Sequence, residues 1–224
     1  MKLSKETLTV LKNFASINDG IVFRSGNILR TCDTQKQIMA ETKISEDIPS
    51  NFAIFDLNRF LSVLSLHDDN TEIELDSDSK AANLKSGRKR TIYRLCSIEM
   101  IKNAPDKTIV MPSVDVSFTL SADDLDTILR SASVLGSPHI AVKSDGTKIV
   151  VAQLDSKNSS AHSSEIEVAD GNSKKYNMIF KTENLRMIPG SYVVSISFRG
   201  IANFKHTEKD IQYWVATDVG STNE

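Results

Sequence analysis

Two hydrophobic rhythms alternate along the chain, and the whole sequence of rhythms occurs twice. Leu8, Leu11, Phe14 and Ala15 recur at three- and four-residue spacing behind Leu3-Ser4-Lys5-Glu6-Thr7, which predicts an amphipathic helix. Leu125, Ile128, Leu129 and Ala132 repeat the pattern behind Leu120-Ser121-Ala122-Asp123-Asp124, with Leu120 placed 117 residues after Leu3. Ser4 and Ser121 suit N-caps, and the acids after them suit the helix dipole. A hairpin is expected after each helix: Ile21 to Arg30 around Ser25-Gly26-Asn27, and Ile140 to Val151 around Asp145-Gly146. Strands follow at Ile38 to Ile44 and Ser164 to Val168.

The repeat returns at Phe52 to Asn58 and Asn177 to Glu183, where Phe55 and Phe180 stand 125 residues apart. Each segment leads toward a second helix. In the first copy it is Leu57, Phe60, Leu61 and Leu64 behind Asp56; in the second it is Asn184-Leu185-Arg186-Met187, stopped by Pro189-Gly190. Strands close each copy: Thr71 to Leu75, Ala82 to Leu84 and Thr91 to Leu95, then Tyr192 to Phe198, Ala202 to Phe204 and Gln212 to Ala216. The expected fold class is α+β, with two similar domains of antiparallel sheet carrying two helices each. The domains are residues 1–104 and 113–224, joined by a Pro-flanked linker over 105–112.

Composition narrows the function. The 224 residues suffice for one large or two small domains, and 25% charged with 40% hydrophobic residues is ordinary for a globular chain. No apolar run reaches membrane-spanning length, and the charged opening does not read as a secretory signal. Cys32 and Cys96 suit buried free thiols. His67, His139, His162 and His206 are too scattered for metal-ligand spacing, so no metal is expected. Phosphate-cradling glycine loops and the Gly-x-Ser-x-Gly elbow are absent, and the paired acids Asp68-Asp69 and Asp123-Asp124 diverge. No catalytic residue and no cofactor is assigned. A net charge of −2 means that any nucleic-acid role rests on local charge placement.

Such placement exists. Lys5, Thr9, Lys12 and Ser16 fall within a stripe of roughly 60° opposite the apolar face of the first helix. Arg59 and Ser62 lie opposite the apolar face of the second, Arg130 opposite that of the third, and the fourth offers Lys181 and Arg186. One exposed base on a helix is ordinarily a solvated charge; recurrence on every expected helix is what singles these out. Asp123 and Asp126 offset the field around Arg130. Lys85-Ser86-Gly87-Arg88-Lys89-Arg90 reads as a basic turn, which either touches phosphate through Arg88 or guards a strand edge.

Met1-Lys2-Leu3-Ser4-Lys5, Leu11-Lys12-Asn13-Phe14-Ala15-Ser16-Ile17-Asn18 and Gly20-Ile21 resemble the start of the sliding clamps of T-even-type bacteriophages. These are DNA polymerase processivity factors. The likeness resumes at Ala53-Ile54-Phe55-Asp56-Leu57-Asn58, Phe60-Leu61, Leu64-Ser65-Leu66, Leu125, Leu129-Arg130 and Met187-x-Pro189-Gly190-x-Tyr192, and it covers essentially the whole chain. The resemblance implies a homotrimeric ring of six similar domains around duplex DNA, with helices lining the hole. It also implies a clamp-loader ATPase, docking of a polymerase C-terminal peptide, a use in late transcription, and work in the cytoplasm of the infected bacterial host. Lys5, Lys12 and Arg130 match basic positions of the family; Arg59, Lys181, Arg186 and Arg88 rest on the geometry above.

Subunits are expected to join by edge strands, through Thr91, Tyr93 and Leu95 on one side and Ser164, Ile166 and Val168 on the other. Partner peptides are expected in a pocket lined by Ile109, Val110, Met111, Pro112, Tyr213 and Trp214. A rival reading is a duplicated trimeric virion protein without DNA contact.

Overall fold

A computed structural model describes residues 1–68, 70–171 and 173–224. The chain divides into two compact units, Met1–Thr108 and Ile109–Glu224. The first runs α1 (Lys5–Ile17), β1 (Ile21–Phe23), β2 (Gly26–Cys32), β3 (Ile38–Ile48), β4 (Phe52–Ile54), α2 (Leu57–Leu64), β5 (Glu72–Leu75), β6 (Ala81–Ser86) and β7 (Lys89–Arg94). The second runs β8 (Val116–Leu120), α3 (Ala122–Leu135), β9 (His139–Asp145), β10 (Lys148–Leu154), β11 (Ser164–Asp170), β12 (Lys175–Lys181), β13 (Tyr192–Ser197), β14 (Ile201–His206), β15 (Ile211–Ala216) and β16 (Thr222–Asn223).

In the first unit β1 pairs with β4, β2 with β3, and β5-β6-β7 form a sheet; every pairing is antiparallel. In the second, β11-β10-β9-β12-β16 form one antiparallel sheet and β8-β13-β14-β15 lie side by side in another.

The three α-helices among the described residues begin where the sequence marks them. The Ser4 hydroxyl accepts the Thr7 amide at 3.1 Å, the Ser121 hydroxyl accepts the Asp124 amide at 3.1 Å, and the Asp56 carboxylate accepts the Arg59 amide at 2.8 Å. Such caps satisfy amide groups that the helix leaves unpaired, each worth about 1 kcal/mol. α1 buries Leu11 and Phe14, α2 buries Leu57 and Phe60, and α3 buries Leu125, Ile128 and Ala132. Burying one large apolar side chain is worth about 1.5–3 kcal/mol, so these stripes fix which face of each helix meets water.

The Asp145-Gly146 turn joins β9 to β10 as expected. The Asp145 carboxylate accepts the Thr147 hydroxyl at 2.7 Å and the Thr147 and Lys148 amides at 2.8 and 3.2 Å, and these bonds hold it down at about 2.

Three expectations need correction. The fourth helix, expected over Asn184 to Met187, does not form, so among the described residues the first unit carries two α-helices and the second one. A single 3₁₀ turn covers Thr182–Asn184, and the buried Asn184 and Leu185 turn into the core just before Pro189-Gly190. Seven residues lie between the end of β12 and Pro189, and proline bars helical backbone in the residue before it. The segment from Ile21 to Arg30 is not a hairpin. β1 pairs with β4 while β2 pairs with β3, because Gly26 (φ 103°) redirects the chain and the Asn51 side chain holds the Ser25 amide at 2.8 Å. The last strand of the first unit ends at Arg94. The Leu95 amide turns to Lys80 O at 2.9 Å, and Cys96 bridges to Ala53.

Candidate nucleic-acid interface and sheet edges

The polar stripe of α1 is laid out as its period dictates: Lys5, Thr9, Lys12 and Ser16 are all exposed, with Leu11, Phe14 and Ala15 buried behind them. Thr9 donates to Lys5 O at 2.9 Å and Ser16 to Asn13 O at 2.6 Å, so both hydroxyls stay on the helix. The start of α1 is tied to β3 by Glu46, whose carboxylate accepts the Ser4 amide and, at 2.7 Å, the Thr7 hydroxyl. Burial alone would raise this carboxyl, but the bonds from Thr7 and Ser4 outweigh it and keep it below its ordinary value. Glu46 thereby positions Lys5. No local pattern marks this link, since it spans about forty residues and its cause is tertiary.

Arg59 stands exposed on α2, which packs against α1, and its Nε lies 3.3 Å from Asp56 one turn back. Arg130 stands exposed on α3 with Nε 2.8 Å from Asp126. Both guanidiniums are therefore part-neutralised by a carboxylate of their own helix. Lys181 ends β12 half-buried, and Arg186 lies beyond the 3₁₀ turn, its Nε donating to Glu183 O at 2.6 Å. Arg88 sits with Gly87 (φ 55°) at the two-residue turn between β6 and β7. That turn lies beside the end of α2, since Lys89 Nζ donates to Leu66 O at 3.0 Å. Lys5, Lys12 and Arg59 thus share a pair of packed helices in the first unit; Arg130, Lys181 and Arg186 belong to the second.

β7 ends the three-stranded sheet of the first unit and β11 ends the five-stranded sheet of the second. On β7, Thr91 and Tyr93 turn toward α2. Thr91 Oγ1 is hydrogen-bonded to His67 Nε2 at 2.9 Å, and Tyr93 donates to Asp56 O at 2.9 Å with its ring edge-on to Phe60 at 5.1 Å. Leu95 is half-buried just past the strand. On β11, Ile166 and Val168 are half-buried, and the Ser164 hydroxyl accepts from Gln153 Nε2 at 3.3 Å. The residues between them are not among those expected at the joint: Arg90, Ile92 and Arg94 on β7, and Glu165 and Glu167 on β11, all exposed. Their signal was the two-residue period of each strand, read for one face only.

Of the expected pocket residues, Val110 is 85% exposed, Ile109 and Met111 are half-buried, and Pro112 is exposed. Tyr213 and Trp214 are fully buried on β15, the Tyr213 hydroxyl accepting the Ile188 amide at 3.1 Å.

Among the described residues no three His, Cys, Asp or Glu side chains converge as metal ligands, and no helix is long and apolar enough to cross a membrane.

Known proteins resemble this chain in sequence and in fold. Residues 4–111 match the family described as DNA polymerase processivity factor, and residues 117–219 match the C-terminal domain of the gp45 sliding clamp. A sliding clamp of Vibrio phage KVP40 is 33% identical, covering 97% of this chain and 99% of its own. One of Enterobacteria phage T4 is 34% identical over 100% of both chains. The fold recurs in A. fulgidus PCNA, solved with the C-terminal region of FEN-1 (TM-score 0.67, 14% identity, 96% of both chains). It recurs in the Helicobacter pylori beta clamp bound to a DNA ligase peptide (TM-score 0.71, 14% identity, 97% of this chain and 65% of that one). This two-unit chain, with its cation-bearing helices and antiparallel sheets, belongs to the bacteriophage sliding clamps, the DNA polymerase processivity factors.

Proposed function

We propose that three copies of this chain join head to tail into a ring that encircles duplex DNA without reading its sequence and tethers a replicative polymerase. The observation that carries the proposal is the pair of sheet-end strands, β7 in one unit and β11 in the other, which invite pairing between copies. A heterologous contact of this kind generates closed rings when its rotation closes. Topological retention needs no basic excess, which agrees with a net charge of −2. The exposed Lys5, Lys12, Arg59, Arg130 and Arg186, with Lys181 and Arg88, then meet phosphates weakly and in a salt-sensitive way. Weak contact suits sliding. Family membership argues against the virion reading, since processivity factors act on DNA.

A clamp-loader ATPase opens the ring on this reading, and the work takes place in the host cytoplasm. A polymerase C-terminal peptide docks at Ile109, Val110, Met111 and Pro112, with Tyr213 and Trp214 as a packed floor. Late transcription uses the clamp as well on this reading. The peptides bound to the PCNA and beta-clamp relatives support docking of this kind.

The test is retention on nicked circular DNA after loading with a phage clamp loader and ATP, followed by linearisation. Release on linearisation is expected. Retention on the linear product, at the level seen on the circle, refutes encirclement.

A further inference from the structure

The two edge strands carry opposite charge on one face, and that face is separate from the residues assigned to the joint by sequence. On that face β7 presents Arg90 and Arg94 and no acid, and β11 presents Glu165 and Glu167 and no base. Arg90, Ile92 and Arg94 alternate with the α2-facing Thr91 and Tyr93, and Ile92 is 63% exposed between the two guanidiniums. Glu165 and Glu167 stand opposite Ala152 and Val150, alternating with Ile166, which stands opposite the buried Val151. Neither arginine nor Glu165 forms a salt bridge among the described residues; Glu167 shares Lys148 at 2.5 Å. A sheet edge that presents two unbridged cations around an apolar side chain is unsuited to a copy of itself, since like charges would face each other.

We infer that the joint between protomers is an ionic latch of fixed sense, in which Arg90 and Arg94 of one protomer's β7 meet Glu165 and Glu167 on β11 of the next, across Ile92. The inference rests on the ring reading and adds what holds the ring shut. At about 3.4 Å per residue the arginines lie about 14 Å apart and the glutamates about 7 Å apart. Diagonal cross-strand neighbours at about 7–8 Å are within reach of such long side chains. Pairing β7 with β7, or β11 with β11, sets like charges against each other, so only the head-to-tail contact is favoured. The same alternation brings Thr91 and Tyr93 beside Ile166 and Val168 on the opposite face, which continues the half-buried layer across the joint. Because the charged face is open to water, the latch weakens as salt rises.

The test is sedimentation equilibrium of the full chain at about 0.05 M and about 1 M NaCl, where the screening length falls to about 3 Å. The wild-type joint is expected to weaken about tenfold or more over that range. R90E/R94E and E165R/E167R are each expected to lower the association constant about a hundredfold, and the quadruple variant to recover to within about tenfold of wild type. All four side chains are exposed, and a thermal melt confirms that each variant folds. Double variants that assemble like wild type overturn the latch and leave the ring standing. A folded quadruple variant as dissociated as the doubles also overturns it. A wild-type chain that stays monomeric at low salt and high concentration removes the ring reading itself.

Discussion

Tyr213→Phe separates a core role from a docking role for the residue at which the two readings meet. Ile188, just ahead of the Pro189-Gly190 turn, has both of its backbone groups tied to buried phenols: its amide donates to Tyr213 Oη at 3.1 Å, and its carbonyl accepts from Tyr192 Oη. Both rings are fully buried, 6.1 Å apart, and burial pushes both hydroxyls well above the ordinary phenol range. Phenylalanine keeps the ring and removes the acceptor, which leaves the Ile188 amide in the interior without Tyr213 as its partner. An unsatisfied buried donor costs about 1–3 kcal/mol. For a chain of this size each kcal/mol shifts Tm by about 2–4 °C, so a mid-range cost lowers Tm by about 4–8 °C. Scanning calorimetry reads this directly. A melting temperature unchanged within about 1 °C, together with weakened binding of a polymerase C-terminal peptide, refutes the core assignment and gives Tyr213 to the pocket.

Glu46→Gln should destabilise the start of α1 by about 1 kcal/mol, because an amide accepts less strongly from Ser4 and Thr7. The folded Glu46 carboxyl lies below its ordinary 4.5, so its contribution is complete above that value and drains away as pH falls through the folded value; the gap between wild type and variant should therefore close in acid denaturation profiles below about pH 4. Gly190→Ala places a Cβ 2.1 Å from His206 Nε2 at a backbone φ of 152°, and should cost about 3 kcal/mol or more by chemical denaturation. Gly87→Ala, at φ 55° with open space around it, should cost only about 1 kcal/mol in the same assay. Lys5→Glu with Lys12→Glu should leave stability within about 0.5 kcal/mol, since both side chains are exposed, while loaded rings leave nicked circles sooner at moderate salt. Unchanged residence times would remove α1 from the DNA-facing surface.

Features set by local periodicity were legible in the sequence. Ser4, Asp56 and Ser121 cap the helices they were expected to cap, and the stripe from Lys5 to Ser16 is exposed because a 3.6-residue period leaves it no other place. What failed depends on partners far along the chain. Asn184 to Met187 has helical composition but too few residues before Pro189, and the core claims Leu185. Ile21 to Arg30 looks like a hairpin until Asn51 captures the bend and β4 takes β1. Glu46 could not be read as the anchor of α1, because only the fold brings it to Ser4. On the edge strands the period was visible, but which face packs inward, toward α2 for β7 and toward α3 for β11, was not, and that choice hid Arg90, Arg94, Glu165 and Glu167 behind their neighbours.

The in-helix pairs Arg59–Asp56 and Arg130–Asp126 bear on how a passing duplex feels the protein. On the proposed reading, a phosphate that approaches either guanidinium competes with a carboxylate already beside its Nε, and that carboxylate is at hand again when the phosphate departs. Each encounter is then an exchange between two anions of similar appetite. If the ring encloses DNA as proposed, traffic along these two helices then costs little at every step.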